Sequence, residues 1–297
     1  PFVHAFFSGL LELLRTECKL PTSPTQISQR LLDVAHKLTG LYGNSQLSAV
    51  TDILQARLLA VAILAAPNVD EEERKALLDQ WERITFRIFG LFGKDSRTKV
   101  GDYVKLGYRI VTNHSEARSY SQIMTALRDL GSEYPADKAA DEGLAGKNFY
   151  ESADACRYLL WNYEEHLARK LGFAATYDEQ ERAAIWRERA SDSIEHIFPQ
   201  SADSEPGWAG KMRDVDGKEH PVEHNVGRVG NLILLPGPLN SQAKIRPFDE
   251  KKTVYAKHNL RMVVEVRSEP EWTLTSIIQR EARIVEWAKQ RWADLSG

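Results

Sequence analysis

Two stretches decide how this chain is interpreted: Ser-Ile-Glu-His-Ile-Phe-Pro-Gln at residues 193–200, and Val-Gly-Asn-Leu-Ile-Leu-Leu-Pro-Gly-Pro-Leu-Asn-Ser-Gln-Ala-Lys at residues 229–244. The first predicts a short apolar strand that carries Glu195 and His196 and ends at Pro199. The second predicts an apolar strand from Asn231 and then a polar segment, where a helix could begin at Asn240. The sequence therefore predicts a strand–strand–helix unit that brings a histidine, an asparagine and an oxygen ligand to one point.

The side chains of this unit suit the hydrolysis of a phosphodiester. A neutral imidazole titrates near the working pH, so His196 is the candidate general base. Glu195 and Asn240 offer the hard oxygen atoms that Mg²⁺ or Mn²⁺ prefers. The side-chain carbonyl of Asn231 could accept the Nδ1–H of His196 and leave Nε2 free for water. Adjacent residues of a strand point to opposite faces, so Glu195 and His196 can share one site only where the strand twists or bulges.

The spacing of these residues resembles a known motif. Glu-His-Ile-x-Pro, then Gly-Asn-Leu-x-x-Leu, then an Asn nine residues after the first Asn resembles the HNH (ββα-metal, His-Me finger) endonuclease motif. With Asn-x-x-x-Lys and Pro-Phe-x-x-Lys-Lys-x-x-Tyr added, the pattern resembles the C-terminal nuclease domain of GmrSD-type modification-dependent restriction proteins and of related SspE-type defence nucleases. The sharp match covers about 70 residues. A looser one, which includes the helix with Cys156-Arg-Tyr-Leu-Leu-Trp-Asn-Tyr-Glu, extends over residues 150 to 295.

The resemblance implies a role for each matching residue. His196 would be the general base and Asn231 its orienting partner, while Glu195 and Asn240 would hold a single divalent ion and Lys244 would lie near the scissile phosphate. Cleavage would leave a 5′-phosphate and a 3′-hydroxyl. Zinc-binding cysteines of many HNH proteins are replaced at the matching positions by Pro236 and Leu239, so no structural zinc is expected. Asn240 stands where a final His is common and Glu195 where Asp is usual.

The resemblance also implies a setting for the protein. It predicts an effector of anti-phage defence in the bacterial cytoplasm that acts on phage or modified DNA. The chain opens on Pro1 without a methionine and contains no Walker-type phosphate loop. We therefore expect nucleotide hydrolysis and modification sensing to belong to a missing N-terminal domain of the same protein. A homodimer is possible.

Local charge supports a nucleic-acid partner. The chain has a net charge of −3, yet residues 228 to 261 hold seven Lys or Arg and only two acidic residues. Phosphate binding needs such a basic patch. The residues predicted to bind DNA phosphates are His224, Arg228, Lys244, Arg246, Lys251 and Lys252. His220 and His258 are predicted to be solvated. No motif that reads base edges is found, so we expect weak sequence preference.

We expect a mainly α fold, with a large N-terminal helical region, a small ββα-metal core and a C-terminal helix. Residues 1–145 form the helical region, and residues 146–297 form the nuclease domain with its core at about 190–260 and a capping helix at 273–295. The helical region could be regulatory, mediate dimerisation or support DNA. The boundary is placed in the Gly- and Pro-containing stretch 131–147, which reads as a loop.

Within the two regions, the sequence predicts several particular elements. An apolar stripe at Phe6–Leu14, a buried helix over residues 47–65, a helix that starts with the acidic run 70–73 and a helix over residues 150–171 are predicted. Residues 261–267 are ambiguous between helix and strand. Two cysteines, Cys18 and Cys156, argue against a disulfide scaffold and fit a reducing compartment. The longest apolar run, residues 58–66, is too short to span a bilayer, and no leader sequence is seen.

Two other classes of function fit the same residues. One is a nuclease-derived DNA-binding or scaffolding domain that does not cleave. The other is an RNase of the same fold.

Overall fold

The computed structural model describes residues 24–43, 47–172, 179–187, 189–214 and 216–295. The helices are α1 (Pro24–Gly43), α2 (Ser48–Thr51), α3 (Leu54–Leu64), α4 (Glu71–Thr85), α5 (Val100–Val111), α6 (Tyr120–Gly131), α7 (Ala136–Gly143), α8 (Ala153–Lys170), α9 (Glu179–Trp186), α10 (Val222–Asn225), α11 (Gly237–Ala243), α12 (Phe248–Tyr255), α13 (Arg261–Arg267) and α14 (Leu274–Arg291). Two strands, β1 (Ile194–His196) and β2 (Leu232–Leu234), form a two-stranded sheet. The predicted mainly α class is confirmed.

The described residues fall into two compact units. The first comprises those up to Thr85, Asp95–Glu133 and the last residues from Asp294, and the second comprises Phe86–Lys94 and Tyr134–Ala293. The boundary predicted at residue 145 lies inside the second unit, and the assignment of functions to the two regions stays a prediction.

The first unit is built from helix pairs. Helix α3 packs against α5, and α4 packs against α6. The predicted buried helix over residues 47–65 is present as α2 and α3, and α3 buries Ala56, Leu59 and Ile63 completely. The acidic start of α4 is confirmed, because Asp70 Oδ1 accepts from the Glu73 amide at 2.8 Å and Glu73 Oε2 accepts from the Asp70 amide at 3.1 Å. The apolar stripe predicted at Phe6–Leu14 lies outside the described residues.

The loop predicted over residues 131–147 is wrong, because α7 lies within it. Pro135 immediately precedes the helix with φ −65°, which is compatible with helix initiation. Gly143 allows close packing, since a Cβ there would lie 2.1 Å from the Leu91 carbonyl oxygen of a π-helical turn (Phe86–Leu91). The Pro and Gly that suggested a loop therefore bound a short packed helix.

In the second unit, helices enclose the small sheet. Strands β1 and β2 are antiparallel, with Ile194 opposite Leu234, Glu195 opposite Ile233 and His196 opposite Leu232. Helices α8 and α13 pack on β2, and α11 packs on β1 and α12. The ambiguous segment 261–267 is the helix α13. The predicted helices at residues 150–171 and 273–295 are confirmed as α8 and α14.

Helix α14 packs against the 3₁₀ turn Val229–Asn231 that precedes β2. Arg280 is 1% exposed and donates to the carbonyl oxygens of Gly230 at 3.0 Å and Leu232 at 2.8 Å. Gly230 has no space for a side chain, because a Cβ would lie 2.0 Å from the Ile277 carbonyl oxygen. The last helix thus fixes where Asn231 and β2 begin.

Across the described part of the chain, no helix combines the length and the apolar character needed to cross a bilayer.

Candidate active site

Strand β1 and helix α11 border one open cleft in the second unit. Its volume is about 740 Å³, and Glu195, His196, Asn240 and Lys244 all line it. Four of the predicted site residues are therefore brought together. The strand–strand–helix order predicted from residues 193–244 is what places them there.

His196 ends β1 and is shielded. It is 8% exposed, and its ring meets the edge of the Tyr150 ring at a centroid distance of 4.4 Å and an interplanar angle of 69°. Burial, assisted by the nearby Lys251 ammonium, lowers the pKa of His196 to about 4. The imidazole is therefore neutral at pH 7, as a general base requires. Its Nε2 is buried and has no hydrogen-bond partner, so the nitrogen expected to be open to water is closed off in this conformation.

Asn231 does not orient the His196 ring, and the predicted hydrogen bond between them is wrong for this structure. Its Oδ1 accepts from the Phe198 amide at 2.8 Å and from Trp272 Nε1 at 3.0 Å. Its Nδ2 donates to the carbonyl oxygens of Phe198 at 2.9 Å and Val226 at 2.8 Å. All four hydrogen-bonding positions of the amide are used, so Asn231 ties the segment after β1 to the segment before β2. A catalytic role for it stays a prediction.

Glu195 and His196 reach the cleft without the predicted bulge, since the pairing of β1 with β2 is continuous. Their side chains diverge, because Glu195 turns toward α12. Its Oε1 accepts from Lys251 Nζ at 2.7 Å and from the Tyr255 hydroxyl at 2.9 Å. Burial raises the pKa of Glu195, and the Lys251 ammonium opposes that rise. Oε1 carries both of these hydrogen bonds, and Oε2 takes part in neither.

Asn240, on α11, is oriented by the backbone. Its Nδ2 donates to the carbonyl oxygens of Asp192 at 2.9 Å and Ile194 at 3.2 Å. Two carbonyl acceptors on the amide nitrogen fix which way the group is turned. The amide oxygen, Oδ1, takes part in neither of these two hydrogen bonds.

Two side chains of the cleft, Glu195 and Asn240, carry oxygen atoms of the kind that Mg²⁺ or Mn²⁺ takes as ligands. Magnesium keeps several water ligands and takes only one or two protein oxygens, which Glu195 Oε2 and Asn240 Oδ1 can supply. In the described ranges, no group of three or more His, Cys, Asp or Glu side chains could hold a metal ion. The fit therefore rests on one carboxylate and one amide.

The predicted phosphate-binding cations lie in different environments. Lys251 as a DNA contact is wrong, because it is completely buried and donates to Glu195 Oε1 and to the His196 carbonyl oxygen, each at 2.7 Å. Arg228 is held by Glu281, with N–O distances of 2.5 and 3.1 Å. The other pairs are Arg246 with Glu250 at 3.1 Å and Lys252 with Asp249 at 3.3 Å. His224 is exposed but does not line the cleft. Lys244 is exposed and lines it.

Two histidines predicted to be solvated make local bonds. His220 Nε2 lies 2.7 Å from Asp214 Oδ2, and His258 Nδ1 accepts from the Leu260 amide at 3.3 Å. Neither lines the cleft.

Sequence reasoning missed Tyr150 and the buried role of Lys251. Tyr150 lies more than forty positions before His196, and nothing in the local pattern linked them. For Lys251 a signal existed. Phe248, Lys251 and Tyr255 share one face of α12 at spacings of three and four, and the outer two are large and aromatic.

Comparison with known proteins identifies a family for the second unit. Residues 134–287, just over half of the chain, match the family model described as GmrSD restriction endonucleases, C-terminal domain. The match begins at Tyr134, where the main segment of the second unit begins, and it includes the whole cleft. No curated protein and no solved structure matches the chain.

Proposed function

The chain belongs to the GmrSD restriction endonuclease family through their C-terminal domain, and we propose that it hydrolyses DNA phosphodiester bonds at the cleft beside His196. The observation that carries the proposal is the convergence of Glu195, His196, Asn240 and Lys244 on that cleft. We propose the HNH type of site, because Glu195 and His196 lie on β1, while Asn240 lies on and Lys244 just after α11, the helix that follows β2.

In this proposal His196 takes a proton from the attacking water, and Nε2, which is buried in this conformation, becomes accessible to water when DNA binds. Its lowered pKa keeps it neutral before the substrate binds. An anionic phosphate nearby raises the pKa of the imidazole and so increases its strength as a base. The hydrogen bond from Lys251 to the His196 carbonyl oxygen holds this end of β1 in place.

Lys244 is the residue proposed to contact the scissile phosphate. It is exposed, it lines the cleft, and an ammonium there offsets the charge of the anion. Its backbone has φ 42° and ψ −125°, a conformation that a side-chain-bearing residue rarely adopts. Glycine would adopt this backbone conformation with less strain, so the strain supports a functional reason for a lysine at this position.

A divalent ion is part of the proposal. Glu195 Oε2 and Asn240 Oδ1 would hold Mg²⁺ or Mn²⁺, which supplies electrostatic stabilisation of charge on the phosphoryl oxygens when bound. The anti-phage setting, the bacterial cytoplasm, a separate N-terminal sensor and a homodimer stay predictions of the family resemblance.

Supercoiled plasmid incubated with the protein and Mg²⁺ or Mn²⁺ tests the proposal. We expect nicked or linear DNA with wild type and with His220→Ala, a histidine outside the cleft, and none with His196→Ala or with EDTA. Cutting by His196→Ala at the wild-type rate would refute His196 as the base.

The two alternative functions separate in companion assays. Digestion of RNA without cutting of DNA would favour an RNase. DNA binding without cleavage, together with no measurable heat of Mn²⁺ binding in a calorimetric titration, would favour a DNA-binding scaffold. With a cleaving enzyme, we expect Mn²⁺ binding that weakens in Asn240→Ala.

A further inference from the structure

His196 must be held by something other than Asn231. The amide of Asn231 makes four hydrogen bonds elsewhere, and no protein atom bonds His196 Nε2. A general base that is free to rotate loses much of its effect, because proton transfer depends on the direction of the accepting lone pair.

The His196 ring contacts the Tyr150 ring. The two ring centroids are 4.4 Å apart at 69°, the edge-to-face geometry that aromatic pairs favour. Tyr150 is half-buried and itself lines the cleft, so it lies on the same side as the proposed chemistry.

Tyr150 is in turn held in place. It belongs to a 3₁₀ turn, Phe149–Glu151, whose first two amides donate to the Gly227 carbonyl oxygen at 2.9 and 3.3 Å. Gly227 has no room for a side chain, since a Cβ would lie 1.7 Å from Asn148 Oδ1. Phe149 is buried beside it. The turn is therefore fixed to the segment that leads into β2, independently of β1.

We infer that Tyr150 is a positioning residue, whose ring packs against the His196 imidazole and sets its orientation for base catalysis. The inference rests on the proposed function, and it extends the site to a residue that precedes the strand–strand–helix unit. The function belongs to the ring, because no hydrogen bond between the Tyr150 hydroxyl and His196 is seen in the described residues.

Steady-state cleavage by Tyr150→Ala and Tyr150→Phe tests the inference. Loss of orientation in Tyr150→Ala is expected to lower kcat by about 10- to 100-fold and to change KM for DNA by no more than about 2-fold. Tyr150→Phe keeps the ring and is expected to retain most of the activity. Tyr134→Ala is the matched control, since Tyr134 also packs edge-on, on Phe92 at 5.3 Å, away from the cleft.

A raised KM with unchanged kcat would overturn the inference, because Tyr150 would then bind DNA. Equal loss in Tyr150→Phe and Tyr150→Ala would also overturn it by placing the function in the hydroxyl. Urea unfolding of each variant identifies one that fails to fold, and Tyr150→Leu then takes its place.

Imidazole NMR separates this inference from the proposed function. The ring-current shift of the His196 ring protons is expected to persist in Tyr150→Phe and to vanish in Tyr150→Ala, whether or not the protein cleaves DNA. Unchanged His196 shifts in Tyr150→Ala would refute the contact itself, whereas failure of the plasmid assay with these shifts intact would refute only the nuclease proposal.

Discussion

The buried ion pair between Lys251 and Glu195 gives the sharpest test of the site's construction. Lys251 is 0% exposed and Glu195 is 3% exposed, and Nζ lies 2.7 Å from Oε1. At that distance and an effective dielectric constant of about 20, the Coulomb attraction is about 6 kcal/mol. Desolvation of both charges offsets most of it, so the net value of the pair is small. Removal of one partner leaves the other charge buried and uncompensated.

We therefore expect Lys251→Met to lower the free energy of unfolding by about 3–5 kcal/mol. Lys251 also donates to the His196 carbonyl oxygen, and the Tyr255 hydroxyl donates to Glu195. Lys251→Met therefore leaves the His196 carbonyl oxygen without the lysine donor. The double variant Lys251→Met/Glu195→Gln removes both charges and keeps an acceptor for Tyr255. We expect its loss to be smaller than the sum of the two single losses by about 2–3 kcal/mol.

Urea unfolding followed by tryptophan fluorescence measures these values. Of the seven tryptophans only Trp81 lies in the first unit, so six report on the second. Lys252→Met is the matched control, because its partner Asp249 is 89% exposed at the side chain. An exposed pair contributes about 1 kcal/mol or less. The reasoning that the pair is buried and coupled would be refuted in either of two cases. One is that each single variant loses no more unfolding free energy than Lys252→Met; the other is that the loss in the double variant equals the sum of the two single losses.

Three further predictions concern the same unit. His196 has a folded-state pKa of about 4, below the unfolded value of about 6.5, so between these two pH values the unfolded chain binds the extra proton. The free energy of unfolding should therefore fall by about 3 kcal/mol as the pH drops from about 6.5 to about 4. The fall should be smaller in His196→Asn. Gly230→Ala would place a Cβ 2.0 Å from the Ile277 carbonyl oxygen and should lower the free energy of unfolding by about 3 kcal/mol, whereas Gly101→Ala, in open space on a helix, should not. Lys244→Gly should raise the melting temperature, because it relieves the strain of a φ of 42°, which costs about 1 kcal/mol. The same variant should weaken DNA binding in a gel-shift assay, and stronger binding would contradict the phosphate role.

Periodicity predicted helices α3, α4, α8 and α14 and the strand–strand–helix unit. Helix α8 and helix α14 present apolar residues at helical spacing, and both ends of the short strands are marked by prolines or a turn. Where local signals had two meanings, the prediction failed. Pro135 and Gly143 read as loop residues, yet they bound α7, because a proline suits a helix start and a glycine suits close packing of a helix end.

By itself, the sequence determined which chemical groups meet near the cleft: a histidine and a carboxylate at the end of one strand, and an asparagine and a lysine on and just after the helix that follows the other. Tertiary structure alone decided what each group touches. Glu195 and Lys251 are 56 residues apart, and Asn231 and Trp272 are 41 apart. Burial and hydrogen-bond partners depend on packing between such distant segments, which no local spacing encodes. For that reason Lys251 reads as a surface cation in the sequence and is an interior counter-ion in the fold.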